Sequence, residues 1–192
     1  MARVNSVELP GVDIATLDQG TKVNIGVAGI LAQRPVMAEC LGAFSDAVIH
    51  SGTLPRRLVE LIRLRIAFHN QCRSCMAIRY REALEDGVTD ALVCSLEKPQ
   101  EAPDLTPAER AALRFADLFA TNHLAIDDSV YDDLRQYYTE GELVEIGLNC
   151  ALDVGIGRLA ATWHVTDDLS DDIRNADGKI LTPWGRPQLI VS

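Results

Sequence analysis

Residues 58–83 read LVELIRLRIAFHNQCRSCMAIRYREA, and the fold class turns on them. Leu58, Val59, Leu61, Ile62, Leu64 and Ile66 predict an apolar helix that starts with Pro55 in its first turn and ends near His69. Asn70-Gln71 interrupts it, and a further helix is expected from about Cys72 to Glu85, closed by Asp86-Gly87. Two cysteines three apart at a helix start share one face and lie within reach of each other. The partial positive charge of a helix N-terminus favours thiolate over thiol. A disulfide closing so small a loop stabilises a fold by only about 2 kcal/mol. Reversible redox chemistry is therefore a better reason for Cys72 and Cys75 than architecture.

The same stretch reverses the charge of the chain. Formal net charge over all 192 residues is −10, yet from residue 56 to residue 81 Arg56, Arg57, Arg63, Arg65, Arg73, Arg79 and Arg81 face a single acid, Glu60. Arg79 stands four after Cys75, which on a continuous helix places its guanidinium on the cysteine face. There it would lower the Cys75 pKa and could hold an anion. Glu60 has two readings: an ion pair with Arg56, Arg57 or Arg63, or a general base that takes the thiol proton directly or through water. His69, Cys72 and Cys75 together offer three zinc ligands, but no fourth is evident and there is no second CxxC, so neither metal nor cofactor is expected.

Outward from this stretch, the pattern stays helical. Apolar residues make up 47% of the chain and aromatics only 5%, so Leu, Val, Ile and Ala must build the core. Helices are expected over 24–33, 35–50, 89–96, 106–122, from 127 or 128 to 138, and from 141 or 142 to about 165. The strongest start is Thr106-Pro107-Ala108-Glu109, an N-cap with Pro at N1 and Glu at N3. Gly147, Gly155 and Gly157 inside the last helix signal close packing or a break. No convincing alternating strand is seen, so the expected class is all-α. Residues 1–20 form an N-terminal extension, 21–168 the helical domain and 169–192 a tail. Its apolar end, Leu189-Ile190-Val191, is expected to dock on a neighbouring subunit or to be loosely ordered. Cys40, Cys94 and Cys150 sit among apolar residues and read as core cysteines.

The acidic balance argues against nucleic acid and anionic membranes as partners. The absence of a visible secretory signal or long apolar run, with an odd cysteine count, suggests a soluble protein of a reducing, cytoplasmic compartment.

Glu60 followed twelve residues later by Cys72-Arg73-Ser74-Cys75 resembles the carboxymuconolactone decarboxylase and alkylhydroperoxidase D (AhpD)-like family. Residues 105–165, with TPAERAALRFAD and ELVEIGLNCALDVGIGRLA, are similar to its second half. The resemblance implies an AhpD-like helical bundle that assembles as a trimer or hexamer. It also implies a peroxidatic Cys75, a resolving Cys72, Glu60 as base and a dithiol protein or small thiol as reductant. Where the family carries histidines, before and four residues after the second cysteine, this chain has Ser74 and Arg79. The proton relay is thus incomplete as spelled, and His69 is the available substitute. Three functions follow: a thiol-dependent peroxidase or disulfide oxidoreductase acting on a small-molecule peroxide; a decarboxylase-like enzyme holding an anionic substrate on Arg79; and a redox-sensing adaptor without turnover.

Overall fold

The computed structural model describes residues 2–186 and 188–191. In chain order the described elements are α1 (Gln19–Leu31), α2 (Pro35–His50), α3 (Arg56–Asn70), α4 (Arg73–Ala77), β1 (Ile78–Tyr80), α5 (Arg81–Glu85), α6 (Asp90–Ser95), α7 (Pro107–Thr121), α8 (Asp128–Arg135), α9 (Glu140–Trp163), α10 (Asp171–Arg174) and β2 (Leu189–Val191). The expected helical class holds.

α3 is the axis, packed against both α7 and α9. Leu61, Ile62, Leu64 and Ile66 are fully buried, and the main core gathers around them from α6, α7, α8 and α9. A second, smaller core lies beside it, where Val23 of α1 and Met76, Ala77 and Ile78 meet Leu169, Ile173 and Leu181 of the tail. Cys75 packs against this second cluster.

Capping explains where the main helices begin. Thr106 and Glu109 form a reciprocal capping box at α7, as the sequence predicts, and Thr139 and Glu142 form another at α9. Glu145 of α9 accepts the backbone N–H groups of Thr53 and Leu54, which ties the approach to α3 onto α9. α9 runs unbroken through its glycines. Gly157 is the tightly packed one, since a Cβ there would come 2.6 Å from Asn70 Nδ2, whereas Gly147 and Gly155 face open space.

Three expectations are corrected. The helix foreseen from Cys72 to Glu85 is interrupted: α4 stops at Ala77, and Ile78–Tyr80 turns extended to pair in parallel with Leu189–Val191. The tail end therefore docks on its own chain, because β1 offers it an open row of backbone groups. Cys40 and Cys94 are exposed rather than core; of the three outlying cysteines only Cys150 is buried. Cys40 lies on α2, a helix in which no residue is buried, and that is why its apolar neighbours give it no cover.

Candidate active site

Cys72 and Cys75 are joined by a disulfide. Gln71 ends α3 in the left-handed conformation, φ 50°, and turns the chain into α4. That backbone state ordinarily favours glycine. Here the Gln71 side chain is needed: it donates to the carbonyls of Phe68 and Leu181 and accepts the N–H of Leu181. Cys72 then caps α4, its Sγ accepting the N–H of Cys75 at 3.3 Å. The two sulfurs are unequal in exposure. Cys72 is 0% exposed, while Cys75 is only partly buried.

Glu60, 3% exposed, is joined to Arg63 through both carboxylate oxygens, at 2.6 and 2.7 Å. Of the two readings of Glu60, the ion pair is thus what the geometry contains. Burial alone would weaken the Arg63 charge, but the Glu60 carboxylate more than offsets it and holds the guanidinium above its ordinary pKa. Arg63 also donates to the carbonyls of Cys75, at 2.7 Å, and Ile78, at 3.0 Å, and sits over the Tyr80 ring. One guanidinium therefore links the Glu60 carboxylate to the backbone of the dithiol. Removing either partner would strand a buried charge, a loss of roughly 3–5 kcal/mol.

The other candidate residues are placed elsewhere. His69 Nε2 lies 2.7 Å from Asp117 Oδ1 of α7, which also accepts from Arg65. Arg79 is buried and donates to the carbonyls of Met76, Ile78 and Pro183. Burial and then the nearby Arg63 charge pull its pKa down to about 10. Because α4 ends before it, Arg79 does not share a helical face with Cys75; it clamps β1 to the tail. The basic stretch as a whole works as a set of fasteners. Arg57 binds Glu109, Arg65 binds Asp117, and Arg73 binds Asp177. Among the described residues no cluster of three or more His, Cys, Asp or Glu side chains is placed to hold a metal.

Asp153 of α9 is the site residue the sequence reading missed. With Glu60, Arg63, Tyr80 and Asn149 it lines a cavity of about 280 Å³, whose apolar walls include Val59, Leu152 and Val191. Burial, with a smaller contribution from the Glu60 charge, pushes its carboxyl up to about 7 against the opposing pull of Arg63. The same helix meets the dithiol one turn on: Cys75 Sγ would be 3.9 Å from a Cβ at Gly157, and Asn70 donates to the Asp153 carbonyl. The local sequence LDVGIG carries no recognisable motif for this role, since an acid one turn before a glycine is a common helical spacing.

The chain is similar in sequence and in fold to known proteins. Residues 35–118 match the model of the carboxymuconolactone decarboxylase family. The matched segment of that family contains Glu60, Arg63 and both bonded cysteines, while Asp153 and Gly157 lie beyond it. Proteins MT2376 and Rv2313c of Mycobacterium tuberculosis are each 32% identical over 111 residues, covering 57% of this chain and 38% of theirs. YdfG of Bacillus subtilis is 26% identical over 97 residues, covering 50% of this chain and 66% of that one. The chain thus spans about two fifths of the length of the mycobacterial relatives. Two crystal structures share the fold. One, from Ralstonia eutropha JMP134, is described as an alkylhydroperoxidase AhpD core and peroxidase-related protein; its TM-score is 0.58 at 21% identity, over 88% of this chain and 95% of that one. The other, a peroxidase-related protein from Silicibacter sp. TM1040, has a TM-score of 0.57 at 16% identity, over 85% and 93%.

Proposed function

We propose that the chain is a thiol-dependent peroxidase or disulfide oxidoreductase that works through Cys72 and Cys75. The observation that carries this reading is a bonded pair of cysteines with unequal exposure, Cys72 fully buried and Cys75 only partly so. A peroxide must reach the sulfur that attacks it, whereas a resolving sulfur need only reach its neighbour. Cys75 is then the nucleophile. Its thiolate takes the distal oxygen of a hydroperoxide, giving a sulfenic acid and an alkoxide that leaves as the alcohol. The Cys72 thiol displaces hydroxide from that sulfenic acid, so the disulfide and water form. A dithiol protein or small thiol restores both sulfurs through a mixed disulfide on the accessible Cys75. The Glu60–Arg63 pair holds the Cys75 backbone in place through the carbonyl bond.

The family match also supports a decarboxylase-like reading, in which the cavity beside Arg63 takes an anionic small molecule. The bonded cysteines favour the redox reading. Hydroperoxide consumption with dithiothreitol as reductant separates the two. Cys75→Ser is expected to abolish it and Cys72→Ser to slow it, since dithiothreitol must then reduce the Cys75 sulfenic acid directly. A wild-type protein that cycles its disulfide without consuming hydroperoxide would leave the sensor role instead. A protein that consumes no hydroperoxide but releases carbon dioxide from a carboxylate substrate, and still does so after both substitutions, would favour the decarboxylase-like role.

A further inference from the structure

We propose that Asp153 is the proton-holding group of this site: it accepts the proton when the Cys75 thiol ionises and returns it to the departing alkoxide. This rests on the dithiol reading above and adds a residue to it.

Three observations lead to Asp153. First, Glu60 is fully engaged, with both oxygens accepting from Arg63. A carboxylate held in this way is poorly placed to take up a proton. Second, Asp153 lines the same cavity, and among the described residues its carboxylate takes no hydrogen bond and makes no ion pair within 4 Å. Third, it stands one helical turn before Gly157, the point at which Cys75 Sγ comes close to α9. Side chains one turn apart share a helix face, so Asp153 stands on the face of α9 that Cys75 approaches.

The surroundings suit a carboxyl that changes state near neutrality. α3 presents Arg56, Glu60 and Arg63 to the cavity. α2 adds His50, β1 adds Tyr80, and α5 adds Arg81 and Glu82. On its own helix the buried Cys150 thiol is raised by burial and, less, by the Asp153 charge, so it stays protonated. Glu60 and Arg63 largely cancel each other, leaving Asp153 as the group free to ionise; burial pushes it up to about 7. A general base operates best when its pKa lies near the working pH. The position that sequence likeness assigns to histidine is held here by Arg79, whose guanidinium is committed to backbone carbonyls.

The proton balance closes. The Cys75 thiol and the Asp153 carboxylate become thiolate and carboxylic acid. Thiolate and hydroperoxide then give sulfenic acid and alkoxide, and the alkoxide takes the Asp153 proton to leave as the alcohol. Asp153 ends as it began, ready for the next reduced dithiol.

The test measures alkylation of Cys75 by iodoacetamide in the reduced protein from pH 5 to 9, read by mass spectrometry on the Cys75 peptide. Consumption of cumene hydroperoxide with dithiothreitol is followed in parallel. Wild type is expected to show an inflection near pH 7 in alkylation. Asp153→Asn should lose it and consume hydroperoxide at least roughly tenfold more slowly at pH 7. Asp153→Glu should keep an inflection and much of the turnover, which separates loss of the proton site from loss of fold. A wild-type profile without that inflection, or an Asp153→Asn protein matching wild type in both readouts, overturns the assignment. Should wild type consume no hydroperoxide while Asp153→Asn still removes the alkylation inflection, the peroxidase reading falls and Asp153 stands as the proton acceptor of the thiol.

Discussion

At the scale of the residue, the partly buried carboxylates fall into two kinds. Asp117 belongs to the first: burial alone would raise its carboxyl, but hydrogen bonds from His69 and Arg65 overcome this and hold it below the usual carboxylate range. Asp153 belongs to the second, with burial winning. The sign of its contribution to stability follows by linkage. Below about pH 3.8, its ordinary value, the carboxyl is protonated in both folded and unfolded chains and costs nothing. As pH rises toward 7 the unfolded chain ionises first, so the folded state loses stability across that window. Above 7 the penalty is constant. Urea unfolding at pH 4 and pH 8 should therefore show Asp153→Asn gaining stability over wild type at pH 8 and little or nothing at pH 4. An equal difference at both values would mean that the carboxyl titrates normally.

At the scale of the element, α9 shows how one helix can be tuned position by position. Glycine in a helix interior costs roughly 0.5–1 kcal/mol relative to alanine. Gly147 and Gly155 have open space where a Cβ would sit, so Gly147→Ala and Gly155→Ala should each stabilise the isolated chain by about that amount. Gly157→Ala should fail to gain it. Its methyl would press on Asn70 Nδ2, which is fixed by bonds to the Asp153 carbonyl and, through the Asn70 side-chain oxygen, to Arg158. Thermal unfolding of the three variants side by side checks this; equal gains at all three positions would show that Asn70 yields freely. The same comparison shows what a sequence can and cannot signal. The three glycines look alike in the string, and only the partner across the helix interface distinguishes them.

At the scale of the whole molecule, α2 is the anomaly. It is sixteen residues long and rich in apolar side chains, yet none is buried; Val36 is 73% exposed and Met37 70%. Phe44 of α2 shares a groove with Leu148 of α9. Exposed apolar surface on this scale is what subunit contacts cover. We propose that a second copy of the chain covers it, as the family resemblance implies. Light scattering should then give a mass of three or six times 21.0 kDa. Met37→Glu with Phe44→Glu should shift it toward the single chain, and a monomeric wild type would remove the idea.

Much of the scaffold could be read from the string. The bounds of α2, the capping box of α7 and the apolar run of α3 depend on neighbours within a few residues, so local chemistry decides them. The pairing of Cys72 with Cys75 is of the same kind, being a matter of three-residue spacing. Arg79 and His69 could not be placed in this way. The helix that would have carried Arg79 to Cys75 gives way to a strand, because a segment more than a hundred residues later pairs with it. His69 faces an aspartate on α7 instead of a sulfur. Asp153 acquires its raised carboxyl only when α3 and α9 close around it, for desolvation is a property of the packed molecule and not of any stretch of chain.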